Sequence, residues 1–345
     1  MILNSSFKSF LKESQLFRTS IGVGISIFLL ILLFNKSQLE IKTALDSITS
    51  SFKIFLLLSA MLLFVLMTWL HSLRTKVIYY DSKKSIANIK ALDSLLLGNF
   101  YNCTLPGNVG EGVRAWHFSR KNNIPLNNTI SIFFVEKSLD ALMVGGLLLL
   151  PVIFNKFSFH VVQFSFLMTA FAVSIFSICF FLVLTKKKLV KKALGFAPNK
   201  KLRFFLFKLY INFKCHIERM IETRSIYLFV VISYSMFLIN IMQFQLVLWC
   251  VDLPNSMQSF FSAFVLSLTM IIVMFIPSAP GNLGIAHYGL FISLEYIAEV
   301  QEISLSKENL QQMALATIFM HLSYFLPEVL LGVFVLLKER KKLFG

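Results

Sequence analysis

The chain contains 345 residues, of which 57% are hydrophobic and only 14% are charged. Soluble domains carry roughly a quarter charged residues, so this composition excludes an ordinary soluble globular protein. The formal net charge is +16, a value that elsewhere would suggest nucleic-acid binding. Here the lysines and arginines lie between long apolar blocks, where they mark membrane orientation and attract anionic lipid headgroups. We therefore expect a multi-pass membrane protein whose partners are membrane lipids and not nucleic acid.

Nine apolar blocks of about 15 to 29 residues follow one another along the chain, and roughly 20 residues suffice to cross a bilayer core. They lie at 20–34, 54–70, 88–105, 129–154, 157–184, 226–251, 258–277, 283–298 and 309–337. The block at 88–105 contains Lys90, Asp93 and Asn99, which favour a re-entrant or protein-buried helix over a lipid-facing one. A polar helix is predicted at 109–122. The predicted fold is an all-α integral membrane protein with about six to eight transmembrane helices and two re-entrant or broken helical pairs.

The distribution of basic residues predicts that both termini are cytoplasmic. The stretch at 185–225 holds twelve lysines and arginines, and loops rich in these residues stay in the cytoplasm. If this basic loop is cytoplasmic, the N-terminal tail, 71–90, 106–125 and the C-terminal end fall on the same side, where most of the 33 basic residues then lie. We expect the protein in the plasma or inner membrane, and its richness in Lys, Ile, Asn and Phe favours a bacterial host.

A short motif recurs at almost half the chain length. The segment 106–110 reads PGNVG and the segment 280–284 reads PGNLG, and each follows an apolar block and precedes a short helix and a long span. We interpret 18–155 and 157–338 as two copies of one repeat. If the helical pair at each motif is re-entrant, each half crosses the membrane three times and the second half is inverted, as in many transporters. Eight conventional crossings with the same orientation remain the alternative.

The two motifs are candidate binding turns. Proline ends a helical hydrogen-bond ladder and glycine adopts backbone angles that other residues avoid, so helix ends with unpaired N–H groups are expected there. Such ends attract anions, for example a lipid phosphate, and the alternative is a tight turn at the membrane interface. Because histidine changes charge near neutral pH, the histidines after the second turn also raise proton coupling, although a single buried histidine is more often hydrogen-bonded to a neighbour. The candidate residues are Gly107, Asn108, Gly281, Asn282, His287 and His321.

Charged residues interrupt the fourth apolar block. Glu136 and Asp140 share a helix face, and Lys137 lies three residues before Asp140, close enough to pair with it. An ionisable residue within a span is costly and is a functional candidate by default, whereas the alternative is an internal salt bridge that locks helix packing. Glu111 and Arg114 follow the first motif, three residues apart. We expect Arg114 to contact a lipid headgroup and Glu111 to orient it, with snorkelling of Arg114 to the interface as the alternative.

Four segments together resemble a known family. They are 105–114, 136–140, 280–284 and 323–327, and their order and spacing are similar to those of the flippase-like transmembrane region of lysylphosphatidylglycerol synthetases. The resemblance covers nearly the whole chain and implies a protein that handles lipids or lipid-linked glycans. The synthetases of this family also carry a soluble aminoacyltransferase domain, for which this sequence has no counterpart. A stand-alone member of this kind is not expected to make the lysyl lipid itself.

The sequence departs from the family pattern at three places. The family usually has Arg where this chain has Lys137, and it often has Glu where this chain has His287. An Arg commonly precedes the last Tyr-x-x-Pro element, where Met320 and His321 lie here. The resemblance therefore implies a headgroup preference that differs from that of the lysyl-lipid proteins.

The leading hypothesis is a flippase that moves an anionic phospholipid or a polyprenyl-phosphate-linked intermediate between leaflets. The alternative is a membrane-embedded transferase, or an accessory subunit, acting on lipid-linked glycans, in which Glu111, Glu136 or Asp140 would supply a base. The sequence contains no metal-binding, catalytic or nucleotide-binding motif and its four cysteines are single, so we expect no cofactor, no metal and no catalytic residue. A lipid-modifying enzyme and a second copy of the chain are the further candidate partners.

Overall fold

The computed structural model describes residues 23–38, 50–79, 86–105, 109–153, 199–273 and 279–344, together with residues 192 and 195. Every regular element within these ranges is helical, which confirms the predicted all-α class. The α-helices there are α1 (Val23–Ser37), α2 (Ser51–Ile78), α3 (Asn88–Thr104), α4 (Val109–Asn122), α5 (Leu126–Ile153), α6 (Lys200–Glu222), α7 (Ser225–Leu248), α8 (Phe260–Val273), α9 (Ile285–Val300) and α10 (Lys307–Phe344). A 3-10 turn, Pro280–Asn282, precedes α9.

Eight of the nine predicted apolar blocks coincide with helices, and the ninth, 157–184, lies outside the described residues. The polar helix predicted at 109–122 is α4, with those bounds. Among the described helices, Ser51–Ile78, Ser225–Leu248 and Lys307–Glu339 are long and apolar enough to span a membrane, whereas α1 and α8 are apolar but shorter. The chain is thus a helical membrane protein. Its number of crossings, its re-entrant pairs and its orientation stay predictions.

Local capping explains where two of the helices begin. Asn199 Oδ1 accepts a hydrogen bond from Leu202 N (2.7 Å) at the start of α6, and Ser306 Oγ accepts one from Asn309 N (3.1 Å) at the start of α10. Short polar side chains in this position satisfy an N–H group that has no partner within the helix. The described part of the basic stretch at 185–225, which we predicted as a loop, is therefore largely a capped helix.

The chain divides into two compact units. Unit 1 contains Met1–Met67, Leu96–Val113 and Phe237–Gly345, and unit 2 contains Thr68–Leu95 and Arg114–Met236. Each unit draws residues from both halves of the predicted repeat, so the units do not coincide with the halves. The repeat itself stays a prediction.

Unit 2 is organised around an apolar core to which α2, α4, α5 and α6 contribute. α6 packs along α5, and its buried residues Phe213, His216, Ile217 and Met220 recur at helical spacing. The rings of Phe118 and Phe133 meet edge to face, with their centroids 5.6 Å apart. The amphipathic α6 is thus fixed to the core by one face, while lysines and arginines of its first turns stay exposed.

His216 gives unit 2 a pH-dependent stability. Its Nε2 lies 2.7 Å from Asn128 Oδ1. Burial, reinforced by the positive charge of Arg219, lowers the pKa of His216 to about 4. This pKa lies below the value of about 6.5 in an unfolded chain, so the folded state favours the neutral ring. The free energy of unfolding that the neutral ring contributes is therefore complete above pH 6.5 and is lost as the pH falls toward 4.

We expect the thermal midpoint of His216→Gln in detergent to fall less between pH 7 and pH 5 than that of the unmodified protein. Gln keeps a donor for Asn128 but does not take up a proton in this range, so it removes one source of acid sensitivity. Comparing the two midpoint shifts cancels the contribution of the other titrating groups. Equal shifts in the two proteins would show that His216 does not titrate in the way its burial implies.

Unit 1 is held together by hydrogen bonds between apolar helices. α9 packs against α8 and against α10. The hydroxyl oxygens of Thr269 and Ser293 lie 2.7 Å apart, and Gln243 Nε2 donates to Ser323 Oγ at 2.8 Å. Such bonds matter in a membrane because lipid tails leave little hydrophobic driving force for one helix to bind another.

Gly110 allows α4 to begin close to α3. A Cβ atom at this position would overlap the carbonyl oxygen of Gly98 and the side chain of Asn102. Asn102 Oδ1 accepts a hydrogen bond from Gly110 N at 2.8 Å, which gives a partner to one N–H group in the first turn of α4. The close approach and the side-chain cap both require the small residue.

Candidate functional site

A buried carboxylate forms the centre of an ionic cluster in unit 2. Glu136, in the middle of α5, has no exposed side-chain surface (0%). Arg114 of α4 donates to it through both terminal nitrogens, at 3.0 Å to Oε1 and 3.0 Å to Oε2. From α2, Thr75 Oγ1 donates to Oε2 at 2.9 Å, and His71 Nε2 lies 2.6 Å from Oε1. Glu136 is thus surrounded by donors from two other helices.

Arg74 joins this centre to a second carboxylate. Its Nη1 and Nη2 donate to Asp140 Oδ1 (2.6 Å) and Oδ2 (3.0 Å), so the pair is bidentate. Nη2 also lies 3.5 Å from Glu136 Oε1. Nη1 donates to Ser233 Oγ of α7 at 3.1 Å. Arg74 therefore contacts both carboxylates of α5, which places them on one face of that helix.

Helical spacing explains why these side chains meet. His71, Arg74 and Thr75 follow the i, i+3, i+4 spacing of one helix face, and Glu136 and Asp140 are four residues apart on the facing helix. Aromatic rings complete the surroundings. The Arg114 guanidinium carbon lies 4.2 Å from the centroid of the Phe133 ring, and such a cation–ring contact is strongest where water is excluded.

The charges of the cluster balance, and its exposure is uneven. Two guanidinium groups face two carboxylates, so the formal charge is zero when His71 is neutral. Buried charges need such pairing because an unpaired ion in a low-dielectric interior is very costly. The side chains of His71 (20%) and Asp140 (27%) keep some exposure, unlike Glu136. A polar group from outside the core therefore meets His71 and Asp140 first.

A second polar group lies in unit 1, after the turn at 280–284. The backbone has positive φ at Gly281 (66°), Asn282 (58°) and Gly284 (81°). His287, in the first turn of α9, stacks on His321 of α10, with ring centroids 4.5 Å apart and planes inclined by 27°. The turn and the histidine that sequence analysis grouped with it thus come together with a residue of the last helix. Gly107 and Asn108, of the first motif, lie outside the described residues.

Comparison with known proteins now identifies the family. A family model described as the lysylphosphatidylglycerol synthase TM region matches residues 20–332. The chain belongs to this family. Searches of curated proteins and of solved structures found no match.

Membership in the lysylphosphatidylglycerol synthase TM-region family establishes a membrane protein with a function related to membrane lipids. It confirms the resemblance stated from the sequence. The matched region is a transmembrane region, and a separate catalytic domain is not part of it. Within the described residues of this family member, no group of three or more His, Cys, Asp or Glu side chains is placed to hold a metal ion.

The structure brings three of the candidate residues in this family member together. Arg114, Glu136 and Asp140 lie in the ionic cluster, whereas the neighbouring Lys137 is exposed. Asp140 forms an ion pair with Arg74, a partner that sequence analysis did not name, and the pairing of Lys137 with Asp140 stays a prediction. Glu111 lies one turn before Arg114 on α4, and the guanidinium of Arg114 is held by Glu136 and Thr75.

Sequence analysis missed the contribution of α2 to the cluster. His71, Arg74 and Thr75 were assigned to a basic cytoplasmic stretch at 71–90, because charge at the end of an apolar block normally marks topology. These three residues could have been found by extending the predicted helix beyond its apolar block. The helix α2 continues to Ile78 and places the three side chains on one face.

Proposed function

We propose that this chain moves an anionic phospholipid, or a lipid-linked intermediate with a phosphate headgroup, between membrane leaflets, and that the ionic cluster of unit 2 binds the headgroup. The observation that carries the proposal is the bidentate pair of Arg74 with Asp140, a carboxylate that keeps 27% of its side-chain exposure. The planar donor fork of arginine fits phosphate oxygens in the same way as it fits a carboxylate. A headgroup phosphate can therefore replace Asp140 on Arg74.

The arrangement favours exchange at Asp140 over exchange at Glu136. Glu136 is fully buried and accepts hydrogen bonds from Arg114 and Thr75, so its release would leave a buried charge without a partner. Asp140 is partly exposed, so its release from Arg74 does not leave a fully buried charge. The headgroup then sits on a polar cluster while the lipid tails stay in the hydrocarbon.

A purely structural role explains the cluster less well. A buried ion pair is weak evidence for stability, because well-packed apolar residues of similar volume often serve as well or better. Ionisable residues among membrane helices commonly mark the path of a substrate. Arg74 is buried among apolar helices, but its partner Asp140 reaches partial exposure, which a structural lock does not need.

The proposal is tested by leaflet exchange of labelled phosphatidylglycerol in liposomes that contain the purified protein, with labelled diacylglycerol as a lipid without phosphate. We expect Arg74→Gln to slow phosphatidylglycerol movement at least about tenfold, which corresponds to about 1.4 kcal/mol of lost transition-state stabilisation. Glu136 keeps Arg114 and Thr75 in this variant, so the core of the cluster remains paired. The molecular mass of the recovered phosphatidylglycerol is measured by mass spectrometry, which detects any chemical modification of the lipid.

Arg120→Gln is the matched control, because it removes the same charge from an exposed position on α4 that contacts only the Trp116 ring in the described contacts of its side chain. Equal slowing in the two variants would contradict the proposal. Absence of phosphatidylglycerol movement by folded wild-type protein would also contradict it, as would an equal acceleration of diacylglycerol movement by the protein, measured against protein-free liposomes. A change in the mass of the recovered lipid would show that the protein modifies the lipid chemically, and the transferase hypothesis would then replace the flippase proposal.

A further inference from the structure

The first turns of α6 are exposed on every side. The buried residues of this helix all lie in its second half, and they are Phe213, His216, Ile217 and Met220. Residues 200–205, by contrast, are all exposed. Six consecutive residues reach every direction around a helix, so no side of this segment is buried against unit 2. Phe204 keeps 60% of its surface exposed although it is a large apolar residue.

An apolar stripe between basic residues runs along the side of α6 that faces away from the core. Phe204, Phe207 and Ile211 each lie nine residues before a buried residue, a spacing of two and a half turns that puts them on the opposite face. Lys208 Nζ lies 4.5 Å from the centroid of the Phe204 ring, so charge and ring share one surface. The basic residues that flank the stripe are Lys201 and Lys208 on one side and Arg203 and Lys214 on the other. These seven residues form the outer surface of α6.

The charge of α6 fits an anionic partner. The helix contains six basic residues and two acidic ones, and both acidic residues, Glu218 and Glu222, lie in its last turns. Lys214 pairs with Glu218 at 3.3 Å, one turn further along the helix. The first turn carries three basic residues and no acidic one, although the helix dipole disfavours positive charge at that end. Helix stability therefore does not explain this distribution, whereas an external anion does.

The connection to α7 places the end of α6 at the membrane surface. Only Thr223 and Arg224 separate α6 from α7, which is long and apolar enough to span a membrane. Thr223 Oγ1 donates to Arg219 O at 2.7 Å and Arg224 N donates to Ile221 O at 3.1 Å, so the connection is a tight turn. A helix with six basic residues does not enter the hydrocarbon, so α6 ends at the level where α7 enters it.

We propose that the outer surface of α6 lies in the headgroup region of the membrane and binds anionic phospholipids there. The apolar stripe contacts the upper part of the acyl chains, and the flanking lysines and arginines contact the headgroups. An apolar stripe bordered by basic residues is the pattern of helices that lie in the membrane interface. Long basic side chains suit this position, because their stems cover apolar surface while their charged ends stay in the polar layer.

Lipid fits this surface better than a protein partner does. The tight turn into α7 keeps α6 next to the membrane, and clusters of basic residues on such helices are attracted to anionic leaflets. A protein partner needs an acidic apolar groove that also reaches the membrane surface. The outer surface of α6 shares no residue with the ionic cluster around Glu136. The inference goes beyond the proposed function, because binding at this surface requires no movement of lipid between leaflets.

Quenching of tryptophan fluorescence by brominated acyl chains measures which lipid contacts this surface. The reporter is Phe204→Trp in the full-length chain, with the three native tryptophans replaced by phenylalanine. The vesicles contain phosphatidylglycerol and phosphatidylcholine in equal amounts, with bromine on the chains of one lipid or of the other. We expect phosphatidylglycerol to be enriched at least about fivefold at residue 204, the factor that corresponds to one basic side chain at an anionic surface. The enrichment is expected to fall at about 1 M salt, which screens such attraction.

Adding Lys201→Gln and Lys208→Gln to the reporter protein is expected to bring the enrichment down to about onefold. Lys36→Gln with Lys307→Gln removes the same charge from exposed positions of unit 1 and is expected to leave it unchanged. A reporter at Leu58→Trp, 59% exposed in the apolar α2, is expected to show no preference. No quenching at residue 204 would overturn the inference, because water or protein then covers the surface. So would quenching without preference for phosphatidylglycerol, or an equal loss of preference in the two charge variants, and none of these results depends on lipid transport.

Discussion

Glu136→Gln is expected to lower the folding stability of the protein by about 3–5 kcal/mol, the range found when one partner of a buried ion pair is removed. Arg114 is buried and donates to both oxygens of Glu136, so the variant removes the negative charge that both terminal nitrogens of this buried guanidinium contact. The thermal midpoint of protein purified in detergent should fall by roughly 5–10 °C. Size-exclusion chromatography after heating gives this midpoint directly.

The matched control is the double variant Arg114→Gln with Glu136→Gln. It removes both charges together and keeps two amide side chains that can hydrogen-bond, so most of the lost stability should return. Asp140→Asn is expected to cost much less than Glu136→Gln, because Asp140 is partly exposed. If the double variant loses the sum of the two single losses, Arg114 and Glu136 do not act as a pair.

Gly284→Ala is expected to prevent correct folding of unit 1. Gly284 has φ of 81° and ψ of −62°, a conformation that residues with a Cβ atom rarely adopt. A Cβ atom there would also overlap the backbone of Ser26 in α1, which is held close because Ser26 Oγ accepts a hydrogen bond from Ala279 N at 3.1 Å. Neither backbone segment can rotate away as a flexible side chain could. We expect the yield of monodisperse protein after detergent extraction to fall more than about tenfold, since backbone strain and overlap here combine two destabilising mechanisms.

Gly24→Ala provides the comparison on α1 itself. No atom lies within 4 Å of a Cβ atom at Gly24, and alanine favours a helix by about 0.5–1 kcal/mol over glycine. Its yield should therefore equal or exceed that of the unmodified protein. A similar loss in both variants would mean that α1 tolerates no change at all, and a normal yield of Gly284→Ala would refute the requirement for glycine in the turn.

The extent of the helices could be predicted from the sequence because long apolar runs leave the backbone no other way to satisfy its hydrogen bonds in lipid. The same argument brought out Glu136 and Asp140, since charges inside such a run are rare enough to notice. It did not reveal Arg74, which pairs with a residue 66 positions later. Pairing at that distance depends on how helices pack, and periodicity within one helix carries no information about it.

The stacked pair of His287 and His321 is a second contact between helices that the sequence did not predict. Sequence analysis named both His287 and His321 but did not predict that their rings are in contact, because a histidine in a helix has a defined face but no evident partner. The stack arises since α9 packs against α10, which the order of the apolar blocks does not specify. The turn at 280–284 was easier to predict from the sequence, because proline and glycine have strong local backbone preferences that do not depend on how the helices pack.

The pairing of Arg74 with Asp140 also constrains how the protein is made. These residues are separated by 66 positions, and a ribosome that adds 5–20 residues per second needs on the order of 3–13 s to travel between them. During that interval the nascent α2 carries a guanidinium whose carboxylate has not been synthesised. Since Arg74 lies near the end of α2, its long side chain can extend to keep the guanidinium in water until α5 is synthesised. The pair of Arg74 with Asp140 can therefore form only after α5 has been synthesised, and until then the side of α2 that faces α5 lacks its partner.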